Sequence, residues 1–270
     1  MNGSRHSSTT TLIYHDVVAA GHESDSGFGG ADADRYKLES GLFAAHLAAI
    51  AQAGNGAPVT GHDLLADPGA AHGWSITFDD GGASARAIAR ELEARGWRGQ
   101  FFVTTDRVGT EGFVGEDAIR ALAAAGHVVG SHSHTHPQRM AACSTAELER
   151  EWELSVERLA AVLGERPEVA AIPGGWYSPQ VAHAAAKAGI RLLYTSEPTR
   201  VLREVDGCLV AGRFAILHRT SARTAAGLAS GRIGPRAGQR VRRMALAPVK
   251  RLSGGGYLRA RAALLRLDDD

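Results

Sequence analysis

Short apolar runs alternate with segments of helical periodicity along residues 9–217. The apolar runs are rich in β-branched or aromatic residues, and the helical segments carry apolar residues three and four positions apart. This pattern predicts strands at residues 9–14, 74–78, 100–104, 127–130, 169–172, 191–194 and 214–217. It predicts helices at residues 39–53, 84–95, 116–125 and 179–188, and a long helix that Ser144 or Thr145 caps and that reaches about residue 163.

A strand followed by a helix recurs about every 25–35 residues, which favours a parallel sheet with right-handed crossovers. Six or seven such units within about 220 residues fit an incomplete (β/α) barrel better than an open sheet. The predicted fold class is therefore α/β, with a barrel over residues 1–230.

The composition is that of an ordinary globular protein. Of 270 residues, 44% are hydrophobic and 22% charged, which argues against a disordered, collagen-like or coiled-coil chain. Two cysteines, Cys143 and Cys208, exclude a disulfide-rich scaffold. The sequence contains no run of about 18 apolar residues, so no membrane-spanning helix is predicted. The polar residues 1–11 lack the apolar core of a secretory signal, so we expect a cytoplasmic protein.

The net charge of +1 is unevenly distributed. Residues 232–270 hold ten basic and three acidic residues, a net +7, whereas residues 1–231 hold 20 basic and 26 acidic residues, a net −6. We therefore expect a basic C-terminal extension, residues 231–270, with short amphipathic helices at 239–247 and 257–267.

The extension has two interpretations. It either packs on the barrel with a solvated basic face or makes peripheral contact with an anionic membrane or an anionic glycan precursor. Nucleic acid is not an expected partner, because no binding motif is present and aromatic residues are sparse.

Chemically suggestive residues follow three of the predicted strands. They are the runs at 79–82 (Asp-Asp-Gly-Gly), 132–137 (His-Ser-His-Thr-His-Pro) and 173–175 (Pro-Gly-Gly). Active sites of α/β barrels lie at the rim formed by the carboxyl ends of the strands. We therefore expect these three segments to converge on that rim.

The first two segments together indicate a metal site. Neighbouring residues of an extended chain point to opposite faces, so of Asp79 and Asp80 one can bind a cation while the other faces a substrate. Imidazole is the commonest metal ligand, and two imidazoles with one carboxylate form a catalytic zinc site with an open position. The alternatives are a strand-ending turn for 79–82 and a solvated polar loop for 132–137.

The two runs resemble the motifs of a known family. Residues 77–81 (Thr-Phe-Asp-Asp-Gly), followed about 50 residues later by His132-Ser133 and His136-Pro137, are similar to the polysaccharide deacetylases, the NodB-homology group or carbohydrate esterase family 4. Weaker similarity covers residues 14–217. The resemblance implies a distorted, incomplete (β/α) barrel of the NodB-homology type.

The resemblance also implies roles for individual residues. Asp80, His132 and His136 would hold a divalent metal, usually Zn²⁺, and Asp79 would be the general base. Ser133 would support the loop through hydrogen bonds. His134 falls at a position that varies in the family, so it is expected to line the groove and not to bind the metal.

The third segment is expected to contact the substrate. A backbone N–H near Gly174 and Gly175 would stabilise the oxyanion, because glycine permits close backbone approach. Trp176 and Tyr177 would stack on a sugar ring. The alternative is an ordinary Pro-Gly turn with core aromatics.

The chain departs from the family pattern in two places. Many members carry an Arg-Pro-Pro-Tyr-Gly-like run where residues 171–175 read Ala-Ile-Pro-Gly-Gly, so the arginine that would orient the base is absent. Another group must then orient Asp79. His218 is the candidate general acid, although Arg213 and Arg219 match the family's flanks poorly, and a structural histidine is the alternative. His15 and Asp16 end the first strand and are further candidates to line the site.

The function expected from these residues is metal-dependent removal of N-acetyl groups from amino sugars of a polysaccharide, such as an exopolysaccharide, or its precursor. Two alternatives stay open. One is a non-catalytic glycan-binding protein on a degenerate deacetylase barrel. The other is a related metal hydrolase of a different non-peptide C–N bond.

Overall fold

The computed structural model of the chain describes residues 5–6, 8–68 and 72–246. These residues fall into two compact units, divided after Gly231. That residues 1–230 and 231–270 act as separate domains stays a prediction. None of the helices in the described ranges is both long enough and apolar enough to cross a membrane.

The first unit consists of alternating strands and helices. Its strands are β1 (Arg5–His6), β2 (Ser8–Tyr14), β3 (Val17–Val18), β4 (Leu38–Glu39), β5 (His72–Phe78), β6 (Gln100–Val103), β7 (Val128–Ser131), β8 (Val169–Ala171), β9 (Leu192–Tyr194), β10 (Val201–Val205), β11 (Cys208–Ala211) and β12 (Phe214–Ala215). Its helices are α1 (Ala31–Asp34), α2 (Ser40–Gln52), α3 (Gly61–Ala66), α4 (Ala85–Glu93), α5 (Glu116–Ala124), α6 (Thr145–Leu163), α7 (Pro179–Lys187) and α8 (Ala222–Ala229).

Ten of the described strands form one sheet in the order β1-β10-β11-β9-β8-β7-β6-β5-β2-β12. All pairings from β11 to β12 along this order are parallel, whereas β10 pairs antiparallel with both β11 and β1. The outer strands β1 and β12 are not neighbours, so the barrel is open. The predicted parallel sheet and incomplete (β/α) barrel are confirmed.

The β10–β11 hairpin is absent from the sequence prediction. Asp206 and Gly207 connect its strands, with φ of 51° and 80°. A two-residue turn with φ positive at both positions is typical of tight hairpins, and Asp-Gly is a favoured sequence for it. The hairpin extends the sheet beyond β9, on the side opposite β12.

Strand β5 shows how the sheet separates an apolar face from a polar one. Trp74, Ile76 and Phe78 are buried in the apolar cluster that includes residues of α2, α4 and α5. The residues between them are polar: the Ser75 hydroxyl accepts from Gln100 Nε2 (2.7 Å), and the Thr77 hydroxyl donates to the Leu12 carbonyl (2.9 Å). The inner face of this strand can therefore hold charged side chains near its carboxyl end.

The long helix α6 has well-defined ends. The Ser144 hydroxyl accepts from the Glu147 N–H, and the Glu147 carboxylate accepts from the Ser144 N–H, which together form a capping box. Ser144, and not Thr145, is therefore the cap. The helix ends at Gly164, whose φ of 82° lies in the left-handed region.

In the second unit, α9 spans Ile233–Leu246. The predicted start at residue 239 is wrong by six positions. Pro235 lies in the first turn of this helix, where a missing backbone N–H leaves no helical hydrogen bond unmade. Residue 247 and the predicted helix at 257–267 lie outside the described residues.

Candidate active site

The carboxyl ends of four neighbouring strands bring the candidate residues together. Beyond the last paired strand residues, the Asp79 N–H donates to the Tyr14 carbonyl (3.0 Å) and the His132 N–H to the Val103 carbonyl (2.9 Å). The Thr104 N–H donates to the Asp80 carbonyl (3.2 Å). The segments after β2, β5, β6 and β7 therefore leave the sheet side by side, as the strand-end argument predicts.

Asp80, His132 and His136 offer one ligand atom each, and these atoms all lie within 4.8 Å of one another. Asp80 Oδ1 is 3.3 Å from His132 Nε2 and 3.4 Å from His136 Nε2. This oxygen is nevertheless buried without a hydrogen-bond partner in the described chain. Three electron-pair donors thus converge on one point.

The tautomer of His132 supports the same conclusion. Its Nδ1 lies 2.9 Å from the Ala171 carbonyl oxygen, which can only accept a hydrogen bond, so we assign the proton to Nδ1. The Nε2 lone pair then faces Asp80. Metal-binding histidines usually donate their other ring N–H to a carbonyl or carboxylate in this way. The residues present therefore fit a divalent cation.

The backbone of the site is unusual. Four described non-glycine residues have positive φ, and three of them lie here: Asp80 (76°), Ser133 (64°) and His136 (60°). Left-handed backbone at such residues costs about 1–3 kcal/mol each and concentrates at functional sites.

Hydrogen bonds hold the histidine loop in this conformation. The Ser133 hydroxyl accepts from the His136 N–H (3.1 Å), and the Ser133 N–H donates to the Ser131 hydroxyl (3.1 Å). Ser131 in turn bonds Ser155 of α6 (2.6 Å between hydroxyl oxygens). These contacts connect the loop to the helix layer through Ser133.

His134 points away from the cluster of ligand atoms. Its Nδ1 is 3.0 Å from the Thr105 hydroxyl. Glu151 of α6 accepts hydrogen bonds from the N–H groups of His134 and Thr135 (2.9 and 2.8 Å) and from the Thr135 hydroxyl (2.6 Å). The middle of the loop is thus attached to α6 and not to the ligand cluster.

Asp79 has a partner that the sequence analysis missed. Arg213 Nη1 donates to Asp79 Oδ1 (2.6 Å) and Nη2 to Oδ2 (2.8 Å), a bidentate pair. The guanidinium also donates to the Thr77 hydroxyl (2.9 Å) and the Thr195 carbonyl (3.1 Å). Arg213 is only 1% exposed. Arg213, from the turn before β12, thus orients Asp79 in the absence of an arginine from residues 171–175.

The ionisation of the two carboxyls follows from these neighbours. Burial raises the pKa of Asp79, but the Arg213 charge, His132 and the Arg213 hydrogen bonds outweigh it and hold the pKa below its ordinary value. Burial likewise opposes ionisation of Asp80, yet His132 and His136 hold its pKa well below the ordinary value. Burial lowers the pKa of His136, but Asp80 raises it more.

The segment after β8 lies against the end of the histidine loop. Pro173–Gly175 forms a short helical turn in which Gly174 and Gly175 have φ of 59° and 67°. A Cβ at Gly174 would come within 3.1 Å of the Gln138 carbonyl oxygen, and one at Gly175 would collide with the Ser196 hydroxyl. Both positions therefore require glycine.

The two aromatic residues of this segment differ in their surroundings. Trp176 is partly exposed, and the Arg139 guanidinium lies over its ring, 4.9 Å from the centroid. Tyr177 packs against the apolar cluster that contains residues of α6 and α7. Trp176 is thus placed at the rim. Tyr177 instead has the surroundings of a core aromatic, which is the alternative interpretation of this segment.

The structure bears on two histidines, His218, the predicted general acid, and His15, which was expected to line the site. His218 is half-buried, and its backbone N–H donates to the Arg35 carbonyl (2.8 Å). His15 follows β2, and its ring contacts that of Tyr36 in a tilted arrangement (4.6 Å between centroids, 38° between planes). Its Nδ1 is buried without a hydrogen-bond partner in the described chain. His15 is also among the groups that lower the pKa of Asp79. His15 is therefore close enough to the carboxyls to influence them.

Comparison with known proteins places this site in a family context. Residues 67–193 match the family model described as polysaccharide deacetylase. This segment includes Asp79, Asp80, His132 and His136, and it ends before Arg213 and His218.

Solved structures share the fold at low sequence identity. A polysaccharide deacetylase from Bacillus cereus is 19% identical with a TM-score of 0.66, over 84% of this chain and 69% of that chain. The Streptococcus pyogenes deacetylase PplD, solved in complex with acetate, is 18% identical with a TM-score of 0.67, over 81% and 96%. IcaB from Ammonifex degensii is 20% identical with a TM-score of 0.64, over 83% and 98%. Residues 67–193 therefore match a family of hydrolases that act on amide carbon–nitrogen bonds, as the motifs predict, and the described residues share the fold of solved deacetylases.

Proposed function

We propose that this chain removes N-acetyl groups from amino sugars of an exopolysaccharide or its precursor, with Zn²⁺ held by Asp80, His132 and His136. The observation that carries the proposal is the buried, unpartnered Asp80 Oδ1 between two imidazole Nε2 atoms. It lies beside a second carboxylate, Asp79, which is ionised and fixed by Arg213.

The two carboxylates divide the chemistry between them. A divalent cation supplies Lewis acidity and lowers the pKa of water at such a site to about 7. Asp79 takes the proton as water attacks the acetyl carbonyl, and a general base of this kind contributes about 10²–10⁴-fold in rate. Arg213 holds both Asp79 oxygens, so the carboxylate keeps its orientation while it gains and loses the proton.

The leaving amine needs a proton donor, and two histidines compete for this role. His218 is the candidate from the resemblance. His15 has the stronger structural support, because it follows β2 next to Asp79 and has a buried ring nitrogen without a partner in the described chain. A His15→Gln variant should then lower kcat more than His218→Gln, measured as acetate release.

Contacts to the substrate complete the proposal. The backbone near Gly174 and Gly175 is proposed to stabilise the developing oxyanion. Trp176, at the rim, is proposed to stack on a sugar ring, with Tyr177 behind it in support.

The direct test is acetate release from oligomers of N-acetylated amino sugars. We expect turnover that a chelator abolishes and added Zn²⁺ restores. Turnover unaffected by the chelator would refute the role of the metal. Glycan binding that survives Asp79→Asn, with no turnover of any acetylated sugar, would favour the non-catalytic alternative. Turnover of small cyclic amides alone would favour a different C–N hydrolase.

The basic extension carries a separate proposal, peripheral contact with an anionic membrane. Ile233, Val241 and Met244 of α9 are exposed, and Arg236 and Arg240 lie on the same helix. Each arginine near an anionic surface contributes about 1 kcal/mol to binding. Co-sedimentation with vesicles that contain phosphatidylglycerol, but not with pure phosphatidylcholine vesicles, would support this contact. The cytoplasmic location and the exclusion of nucleic acid stay predictions.

A further inference from the structure

Asp16, directly after His15, connects three segments around the site. It is only 3% exposed, and its Oδ1 accepts from the Ser26 hydroxyl (2.5 Å) and the Ser84 hydroxyl (2.8 Å). The Ser84 N–H donates to the Ser26 hydroxyl (2.9 Å). The carboxylate therefore joins the end of β2 both to residue 26 and to the turn that follows Asp80.

The backbone of two glycines packs closely against this carboxylate. A Cβ at Gly27 or at Gly82 would collide with the Asp16 carboxylate oxygens. The Gly112 carbonyl accepts from the N–H groups of Gly27 (2.7 Å) and Ala83 (2.9 Å), which ties the same two segments together from another side. The position of residue 27 is thus fixed by backbone and carboxylate at once.

Phe28 follows immediately and touches the ligand cluster. Its ring lies 4.7 Å from the His136 ring, centroid to centroid, at an interplanar angle of 45°. Its other neighbours are Phe113, at 5.0 Å in an edge-on arrangement, and the Arg107 guanidinium, at 5.8 Å. Phe28 is therefore wedged between the 107–113 loop and His136.

The two histidines of the cluster are supported differently. His132 is 2% exposed at its side chain and is oriented by the Ala171 carbonyl. The His136 side chain is 22% exposed, and the aromatic rings of His132 and Phe28 pack beside it. Phe28 is therefore in a position to support the His136 ring from the side.

We propose that Asp16 is a positioning residue that holds the His136 ring in its metal-binding orientation through Ser26 and Phe28. This inference rests on the proposed metal site. Asp16 does not touch the metal or the substrate; it acts by fixing the segment that carries Phe28. Mutation of residues that orient metal ligands without binding the metal typically lowers metal affinity by about 10–100-fold.

The test measures Zn²⁺ affinity of the full chain by competition with a chelating dye, without any assay of activity. Asp16→Ala and Phe28→Ala should each weaken binding about 10–100-fold. Asp16→Asn retains Oδ1 as acceptor for both hydroxyls, and Phe28→Leu retains an apolar neighbour for the ring, so both should stay close to wild type. Asp63→Ala, which removes the capping box of α3, is the matched control for general destabilisation. The absorption spectrum of Co²⁺-loaded protein should change with Asp16→Ala but not with the control.

The outcomes separate this inference from the proposal on which it rests. Wild-type affinity in both Asp16→Ala and Phe28→Ala would overturn the positioning role while the metal site stands. Equal losses in Asp16→Asn and Asp16→Ala would mean that the charge of Asp16 matters and not its hydrogen bonds, which also overturns it. A wild-type protein that binds no Zn²⁺ would refute the proposed metal site itself. Because Phe28→Ala leaves the Asp16 network intact, it tests the same support if Asp16→Ala fails to fold.

Discussion

Asp79 and Asp80 are neighbours in the chain, but the fold gives their carboxylates opposite surroundings. Both carboxylate oxygens of Asp79 accept hydrogen bonds from the buried guanidinium of Arg213. Asp80 directs one oxygen at two imidazoles and leaves that oxygen without a hydrogen bond in the described chain. One carboxylate is neutralised by the arginine, and the other is placed to bind a cation together with the two imidazoles.

The difference follows from local backbone geometry. Asp79 still bonds to β2 as a continuation of the strand, through its N–H to Tyr14. Asp80 has already left the strand conformation, with φ of 76°. A change in backbone region between two adjacent residues is enough to direct one carboxylate to the arginine and the other to the histidines.

The largest expected effect is on catalysis. Asp79→Asn should lower kcat for acetate release about 10²–10⁴-fold, because the amide cannot accept the proton from water. Asp117→Asn, at an exposed site on α5, is the control and should leave kcat unchanged. Wild-type turnover in Asp79→Asn would show that Asp79 is not the base.

Removal of the arginine should mainly affect stability. Arg213→Met leaves the Asp79 carboxylate buried without its partner, which typically costs about 3–5 kcal/mol in free energy of unfolding. Urea denaturation measures this cost. Arg120→Met removes an exposed arginine with two acidic partners and should change little. Equal effects of the two substitutions would mean that the buried pair has no special contribution.

A smaller effect is expected on the histidine side. Ser133→Ala removes the acceptor for the partly buried His136 N–H, and the loss of a partner for a donor costs at most about 1–3 kcal/mol. Urea denaturation again measures the loss, with Ser24→Ala, at an exposed site, as the control. No loss in Ser133→Ala would mean that the left-handed loop does not need this bond.

The smallest effect is the pH dependence of the Asp79–Arg213 pair. A carboxyl whose pKa is lowered by folding stabilises the fold above its unfolded pKa of about 3.9, and this contribution disappears as the pH falls through the folded value. The pKa of Asp79 is lowered in this way, against burial, by Arg213. The gap in unfolding free energy between wild type and Asp79→Asn should therefore narrow between neutral pH and about pH 3. A gap that widens in acid would contradict the assignment of charges.

The approach of the two histidines to Asp80 could largely be predicted from the sequence. Strand-end position predicted that segments 79–82 and 132–137 converge. The family resemblance implied that Asp80, His132 and His136 are the ligands, and their ligand atoms do meet. This works because parallel strands place their carboxyl ends on one edge, so the order of elements alone brings the segments together.

The contact between Arg213 and Asp79 could not be predicted from the sequence. Arg213 lies 134 positions from Asp79, and its contact depends on β12 pairing with β2 at the end of the sheet. No local periodicity encodes that pairing. A charged residue directly before the apolar run 214–217 was a weak signal, because a buried arginine needs acidic and carbonyl partners. The support of His136 by Phe28 was hidden for a similar reason, since irregular loops carry both residues.

The most direct test of the central claim is the metal content of three purified proteins after Zn²⁺ loading and gel filtration, measured by inductively coupled plasma mass spectrometry. We predict about one ion per chain in the wild type and in Asp79→Asn, and none in Asp80→Ala, because only Asp80 belongs to the ligand cluster. An ion retained by Asp80→Ala, or lost from Asp79→Asn, would contradict the division between the two carboxylates.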